Sequence, residues 1–420
     1  MGVQRSLRGK MAGSIQKSTI KNNNLQAVFR IIQRYGPLER KHIQEYSKLS
    51  WGTVSKFTAL LEQAKIIVQN PNPVSNVGKT PSLVDINGED YYMIGVDLNF
   101  RDIRIVVVDL KGNIIRSHIA GVPDSSQMIH ILLERLGTTI QEYLENKNVI
   151  AISIATQGNI DSEKGIALYL TFAPTWRNIR LKEIVEEKFH IPTYIFHDLD
   201  CVLIAEKYFG NSIEDHYRTV IALNTNYGVG MSLMINAQIY AGANHRSGEL
   251  GHSVAVPNGA LCSCGKRGCL EAYASKVGIT NRFIDAVNSG EPTMMNVADS
   301  FRIKYDSIKK YARLGDQLCQ KLFDDAAFYL GISLASLSSV LDPDVIIFYG
   351  ELADDRELYQ EKLYKVFSEN VYPGNATKII FSSLKGSAVA LGASFYALDE
   401  ILSDFLEQKT GHRDENDQAD

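Results

Sequence analysis

The amino-acid sequence predicts an α/β protein preceded by a small helical unit that ends in a β-hairpin. Three observations lead there. Apolar residues recur at helical spacing in three short blocks between Leu25 and Leu61. Two apolar triplets then flank an Asn/Pro/Gly-rich stretch, and beyond Gly88 strand-like and helix-like segments alternate.

The first block places Leu25, Val28, Phe29 and Ile32 on one helix face, and Gly36-Pro37 ends it. A second short helix is expected from Leu38, with Ile43 and Tyr46 facing inward. Ser50 is a suitable N-cap for a third helix, whose apolar side carries Val54, Phe57, Leu60 and Leu61. Ile66-Ile67-Val68 and Ser82-Leu83-Val84 read as strands on either side of Asn70–Lys79. Three helices and a hairpin over residues 24–88 are the plan of a winged helix-turn-helix.

In the larger body, Tyr92–Val96 and Ile103–Val108 read as adjacent strands, with Gly112 marking the turn that follows. Val149–Ala155, Thr193–Phe196, Thr219–Leu223 and Val345–Tyr349 are further strands, several with helical segments between them. No fixed repeat period is visible, but residues 89–409 are long enough for two lobes. Residues 1–23 are basic and residues 410–420 acidic; both are expected to be disordered.

Composition narrows the class. With 31 Gly and 11 Pro in 420 residues the chain is neither low-complexity nor collagen-like. No apolar run is long enough to span a bilayer and no signal-type core opens the chain, so a cytoplasmic protein without a membrane partner is expected. The net charge of -4 is a sum of unlike parts. Residues 1–84 hold thirteen Lys/Arg and three Asp/Glu, a net of +10, which leaves -14 for the rest. A basic end on an acidic body implies two different partners.

The basic end reads as the DNA-facing one. Were the third helix to enter a major groove, its first turns would present Ser50, Trp51, Gly52, Thr53, Ser55 and Lys56. Hydroxyls contact phosphate or base edges, and Lys56 neutralises phosphate or reads guanine. Arg40, Lys41 and Lys48 would meet the flanking backbone, and Lys79 sits at the hairpin tip, where a wing reaches phosphate or minor groove.

The sharpest motif is His252 followed by Cys262-Ser263-Cys264-Gly265-Lys266-Arg267-Gly268-Cys269. One imidazole and three thiolates make the four ligands of a closed tetrahedral site, which predicts one structural Zn2+ per chain. Gly265 and Gly268 would let the loop double back. A redox thiol pair or free surface cysteines are the alternatives, and no strand–helix redox context supports them. Cys201 and Cys319 read as small core residues.

At this motif a family resemblance emerges. Gly248-Glu249-Leu250-Gly251-His252 with Cys262-x-Cys264-Gly-x-x-Gly-Cys269-Leu270-Glu271 resembles the signature of the ROK family of repressors, open reading frames and sugar kinases. Thr156–Asp161 is similar to its sugar-side loop, and His197-Asp198-Leu199-Asp200 to its Asn-Asp-Ala-Asn segment. Asp342–Ile347 and Gly386–Ala393 are similar to its C-terminal strand and helix. Residues 24–84 resemble the DNA-binding domain of the transcriptional repressor branch, of the xylose and N-acetylglucosamine type. The resemblance implies a two-lobed actin-like ATPase fold, the ROK sugar-kinase-like domain, assembled as a homodimer or homotetramer.

It also implies where function was kept and where it was lost. The family's first phosphate turn, Asp-x-Gly-Gly-Thr, stands here as Asp97-Leu98-Asn99-Phe100-Arg101. Its second, Gly-Thr-Gly-x-Gly-x-Gly, stands as Asn224-Thr225-Asn226-Tyr227-Gly228-Val229-Gly230. Side chains there would occupy space the phosphates need. On the sugar side Asp198 matches the catalytic base, now vestigial, while Glu249, His252 and Glu271 match residues that bind sugar hydroxyls. His197 stands in place of a sugar-contacting Asn. The expectation is a DNA-binding regulator, a repressor of carbohydrate-utilisation genes. It would bind a palindromic operator and respond to a sugar or sugar phosphate, with no catalytic activity of its own. An ATP-dependent hexokinase-type kinase, or a regulator controlled by a protein partner, are the alternatives.

Overall fold

The computed structural model describes residues 24–71, 82–143, 147–169, 176–214, 216–243, 246–296, 303–350 and 354–411. The basic arm, Lys79 and residues 412–420 lie outside the described residues.

Residues 24–35 form helix α1, which buries Leu25, Val28, Phe29 and Ile32. Helix α2 spans Arg40–Ser47 and α3 spans Trp51–Gln63, the latter opened by the Thr53 N–H donating to Ser50 Oγ at 3.2 Å. Val54, Phe57, Thr58 and Leu61 face the core from α3.

Two expectations need correction. Leu38 does not begin a helix: β1 (Leu38–Glu39) pairs antiparallel with β3 (Ser82–Ile86), which also pairs with β2 (Ile67–Pro71). A two-residue strand satisfies the backbone there and buries Leu38, so α2 starts only at Arg40. Tyr46 does not face inward but is 56% exposed, with its ring centroid 4.9 Å from that of Tyr35. An eight-residue helix offers this core one buried position, Ile43.

The body contains two five-stranded sheets of identical plan. In the first the order is β11-β7-β4-β5-β6, from β4 (Tyr91–Leu98), β5 (Asp102–Asp109), β6 (Ile114–Gly121), β7 (Asn148–Thr156) and β11 (Thr193–His197). In the second it is β16-β15-β12-β13-β14, from β12 (Thr219–Thr225), β13 (Val229–Ile235), β14 (Gln238–Ile239), β15 (Val345–Tyr349) and β16 (Lys378–Phe381). Each joins an antiparallel meander to two parallel strands. The absence of a sequence repeat therefore conceals a repeat of architecture. A small sheet of β8 (Asn159–Asp161), β9 (Ile166–Tyr169) and β10 (Arg177–Ile179) caps the first lobe.

Helices fill the layers. Helices α4 (Met128–Tyr143) and α5 (Leu181–Phe189) cover one face of the first sheet with Met128, Leu132, Leu136, Leu181 and Val185. Helices α8 (Lys276–Asn288), α9 (Tyr305–Arg313) and α10 (Gln317–Leu341) cover the second. Helix α6 (Asp198–Phe209) contacts strands of both sheets and packs along the C-terminal helix Ala388–Thr410. The crossing is close: a Cβ on Gly392 would sit 1.8 Å from the Cys201 carbonyl oxygen, so no larger residue fits. Cys201 and Cys319 are fully buried, as expected of core cysteines.

The N-terminal unit is not a separate bead. Its core residues Phe29, Ile32 and Leu61 belong to one apolar cluster with Leu398, Leu402 and Phe405 of the C-terminal helix. Gln33 donates to the Leu110 carbonyl at 2.7 Å and Tyr91 Oη to that of Ala64 at 3.0 Å, while Lys111 pairs with Asp85 at 2.7 Å. No helix among the described residues is long and apolar enough to cross a membrane.

Candidate functional site

A cavity of about 600 Å³ opens between the two lobes, at the carboxyl ends of β7, β11 and β12. The structure brings His197, Asp198, Glu249, His252 and Glu271 together on its wall, all five sugar-side residues the sequence singled out. Gln157, Asn224, Asn226, Tyr227, Arg246 and Lys266 are among its other lining residues.

Strand β11 ends at His197 and α6 begins at Asp198, so this carboxylate sits at the positive end of a helix dipole. The Leu199 N–H donates to Asp198 Oδ1 at 2.8 Å, and His197 Nδ1 lies 3.4 Å from the same oxygen. Burial pushes the Asp198 carboxyl up, opposed by the His197 charge, by Leu199 and by a Gln157 side-chain bond. Asp97, at the end of β4, is pushed up to about 7 by burial and by the neighbouring Asp198 and Asp102 charges, with Arg104 opposing. Asp200 turns from the cavity to accept from Ser232 Oγ at 2.5 Å.

On the opposite wall, Glu271 opens the short helix α7 (Glu271–Ala274) and is 8% exposed. Its Oε1 accepts from Ser263 Oγ at 2.6 Å and from Cys262 Sγ at 3.5 Å, and its Oε2 from the Val229 N–H at 3.2 Å. The carboxylate is thus aimed by the cysteine loop on one side and the β12–β13 turn on the other. Asn224, near the end of β12, and Asn226, in that turn, have amide oxygens buried without a hydrogen-bond partner.

His252, Cys262, Cys264 and Cys269 converge, their donor atoms all within 4.8 Å of one another. Cys264 Sγ and Cys269 Sγ are 3.8 Å apart, and Cys262 Sγ is 3.7 Å from His252 Nδ1. Metal–sulfur bonds of about 2.3 Å at tetrahedral angles put two sulfurs about 3.8 Å apart, so the cluster fits a metal ion. The loop doubles back at Gly265 and Gly268, both at positive φ; at Gly268 a Cβ would also strike the Val256 carbonyl at 1.7 Å. Nδ1 of His252 faces the sulfurs while Nε2 lies 3.8 Å from Glu249 Oε2, so one imidazole belongs to both the metal cluster and the cavity.

On the N-terminal unit, Trp51 (53% exposed), Gly52, Ser55 and Lys56 line the outer face of α3. Ser50 and Thr53 are also at the surface, with hydroxyls 2.8 Å from each other. Arg40 lies along α3, its Nε donating to Thr58 Oγ1 at 2.9 Å and its guanidinium 3.5 Å from Glu62.

Sequence reasoning did not single out Ser263 as a support for Glu271, nor Arg246 as a cavity residue. It read Asn224 and Asn226 only as obstacles to phosphate. Ser263 stood inside a recognised motif, but hydrogen bonding across the loop has no sequence signal. Arg246 had none either.

Fold and site together define an α/β two-lobed chain with a polar inter-lobe cavity, an adjoining His/Cys cluster and an appended three-helix unit. Residues 93–400 match the ROK family model, and the chain belongs to the ROK family. The xylose repressor of Bacillus spizizenii is 28% identical over 390 residues, covering 91% of this chain and 97% of that one. The DNA-binding transcriptional dual regulator NagC of Escherichia coli is 29% identical over 340 residues, covering 80% and 82%. Among solved structures, a ROK family transcriptional regulator homologous to the E. coli MLC protein superposes with a TM-score of 0.79 at 22% identity, covering 93% of this chain and 99% of its own. A ROK family glucokinase from Streptomyces griseus, bound to glucose and AMPPNP, gives 0.60 at 26% identity, with 73% and 98% covered.

Proposed function

We propose that this chain is a sugar-responsive transcriptional regulator, a repressor of carbohydrate-utilisation genes. The observation that carries the effector half is the cavity itself. Three carboxylates, of Asp198, Glu249 and Glu271, line it as acceptors. Such a wall suits a polyol, whose hydroxyls donate to each oxygen. The names of its relatives support the same reading: one is a xylose repressor and another the regulator NagC.

In this reading residues 24–88 are a winged helix-turn-helix that places α3 in a major groove. Trp51, Ser55 and Lys56 are the outward residues there, Ser50 and Thr53 flank them, and Arg40 and Lys79 meet phosphate. Residues 89–409 supply the effector cavity and the homodimer or homotetramer contacts that match a palindromic operator. The metal is a structural Zn2+, held by His252, Cys262, Cys264 and Cys269, which fixes the loop that aims Glu271. The protein acts in the cytoplasm.

Asp198 is retained, which favours a kinase reading. Against it, Arg101 Cζ stands 3.9 Å from the Tyr227 ring centroid, so the two turns that hold phosphates in the family's kinases hold each other here. The test is operator selection and binding with and without a sugar panel headed by xylose and N-acetylglucosamine, with and without phosphate. A sugar should change operator affinity at least tenfold. Absence of sequence-preferring DNA binding at moderate salt would overturn the proposal.

A further inference from the structure

A row of three side chains crosses the small sheet that caps the first lobe. Asn159 of β8 stands directly opposite Tyr169 of β9, and Tyr169 directly opposite Arg177 of β10. Directly opposed residues of neighbouring strands share one face of a sheet, so the three project together. Asn159 and Tyr169 both line the inter-lobe cavity. Ala167, two positions back on the same face of β9, is buried in the apolar core of the first lobe with Trp176, which anchors the row.

Tyr169 brings to this wall what its neighbours do not. The adjoining lining residues Gln157, Gly158 and Asn159 offer no apolar surface, whereas the Tyr169 side chain carries an aromatic ring and is 36% exposed. Because β9 is the middle strand, Arg177 and Asn159 stand on opposite sides of Tyr169. The Arg177 guanidinium lies 5.1 Å from the ring centroid and backs the ring from one side. The face that remains is on the Asn159 side, toward the cavity. The other aromatic residue of the cavity, Tyr227, is already engaged. Arg101 sits 3.9 Å from its ring centroid, and Phe100 meets it edge-on at 6.0 Å.

We propose that Tyr169 is the stacking platform of the inter-lobe cavity, and that it restricts the ligand to a cyclic sugar with an open C–H face, a pyranose. The inference rests on the reading of this cavity as a sugar site and narrows it. Carboxylates alone accept equally well from a ring sugar and from an open-chain polyol. An aromatic face separates the two. Its negative π cloud attracts the C–H hydrogens that a chair pyranose gathers on one side, whereas a flexible alditol presents no flat apolar side. Asn159, beside the ring, offers an amide donor and acceptor to a hydroxyl at the rim of the stacked sugar. An axial hydroxyl on the stacked side would hold the sugar off the ring, so Tyr169 also sorts epimers.

Full-length protein is titrated calorimetrically with xylose, glucose and N-acetylglucosamine, and with the open-chain alditol of each. Wild type is expected to bind a ring sugar about tenfold or more tightly than its alditol. Tyr169→Phe keeps the ring and should hold that affinity within about threefold. Tyr169→Leu fills similar space with no flat face, and Tyr169→Ala removes the side chain. Each should weaken the ring sugar about tenfold and the alditol less than about threefold, the loss of one stacked ring and its buried area. A merely structural role would weaken both ligands alike. Equal ring-sugar affinity in wild type, Tyr169→Leu and Tyr169→Ala overturns the platform and leaves the sugar-responsive reading standing. So does a wild type that binds an alditol as tightly as its sugar. A wild type that binds none of these ligands, with operator affinity unchanged by all of them, overturns both.

Discussion

Arg30 of α1 and Asp399 of the C-terminal helix form an ion pair across the junction between the N-terminal unit and the body. Asp399 also accepts from Tyr208 Oη at 2.5 Å and lies 3.3 Å from Lys207. Lys207 and Tyr208 stand near the end of α6, whose first residue, Asp198, lines the inter-lobe cavity. One helix of about 17 Å therefore joins the cavity to the junction. Any ligand that shifts α6 acts on the contact that orients α1. Asp399→Asn is expected to leave operator affinity without ligand within about threefold, while shrinking the sugar-induced change at least fivefold. Operator titrations with and without sugar measure both, and an unaltered sugar response would remove Asp399 from the coupling route.

Glu271 takes its aim from Ser263. Removing that hydroxyl leaves the carboxylate in place but free to turn, at a cost of about 1 kcal/mol to ligand binding. Ser263→Ala should therefore weaken sugar affinity about fivefold with metal content unchanged, as read by calorimetry and elemental analysis.

Metal loss should act on the same carboxylate. Cys264 is the exposed member of the four, so Cys264→Ser removes a ligand with little effect on packing. Zinc content is expected to fall from about one ion per chain to near zero, with sugar affinity and thermal midpoint falling together. A variant that lost zinc yet bound sugar normally would break the link between loop and cavity.

Lys56 is exposed on α3. If it neutralises one phosphate, Lys56→Ala lowers the slope of log affinity against log salt by about 0.9 and weakens all DNA sequences similarly. A loss confined to one base-pair position would make it a base reader instead.

The raised Asp97 carboxyl gives a pH signature. Its proton is held more tightly in the folded chain, with a pKa of about 7 against an ordinary 3.8. Its contribution to stability is fully present below about pH 4 and is lost as pH rises through 7. Asp97→Asn should thus match wild type near pH 4 and melt higher than wild type at pH 8, in parallel thermal scans. Curves that coincide at both values would mean that Asp97 ionises without penalty.

Local chemistry alone was enough for much of this molecule. Helical spacing marked α1 and α3, Ser50 marked a cap, and the one-His, three-Cys spacing marked a cluster in which the Cys264 and Cys269 sulfurs stand a tetrahedral edge apart. These features are set within a few residues of chain, where apolar period, capping and ligand count act directly. Tertiary structure decided the rest. Tyr46 and Leu38 kept their helix-like spacing but took other roles, because burial depends on what packs opposite. The repeat of two five-stranded sheets has no sequence period, since hydrogen-bond ladders specify topology and not residue identity. Asn224, Asn226, Ser263 and Arg246 gained meaning only when β12, the cysteine loop and α6 met around one cavity. The same is true of Arg101 and Lys276, 175 positions apart, which face one tyrosine ring because two lobes close on it.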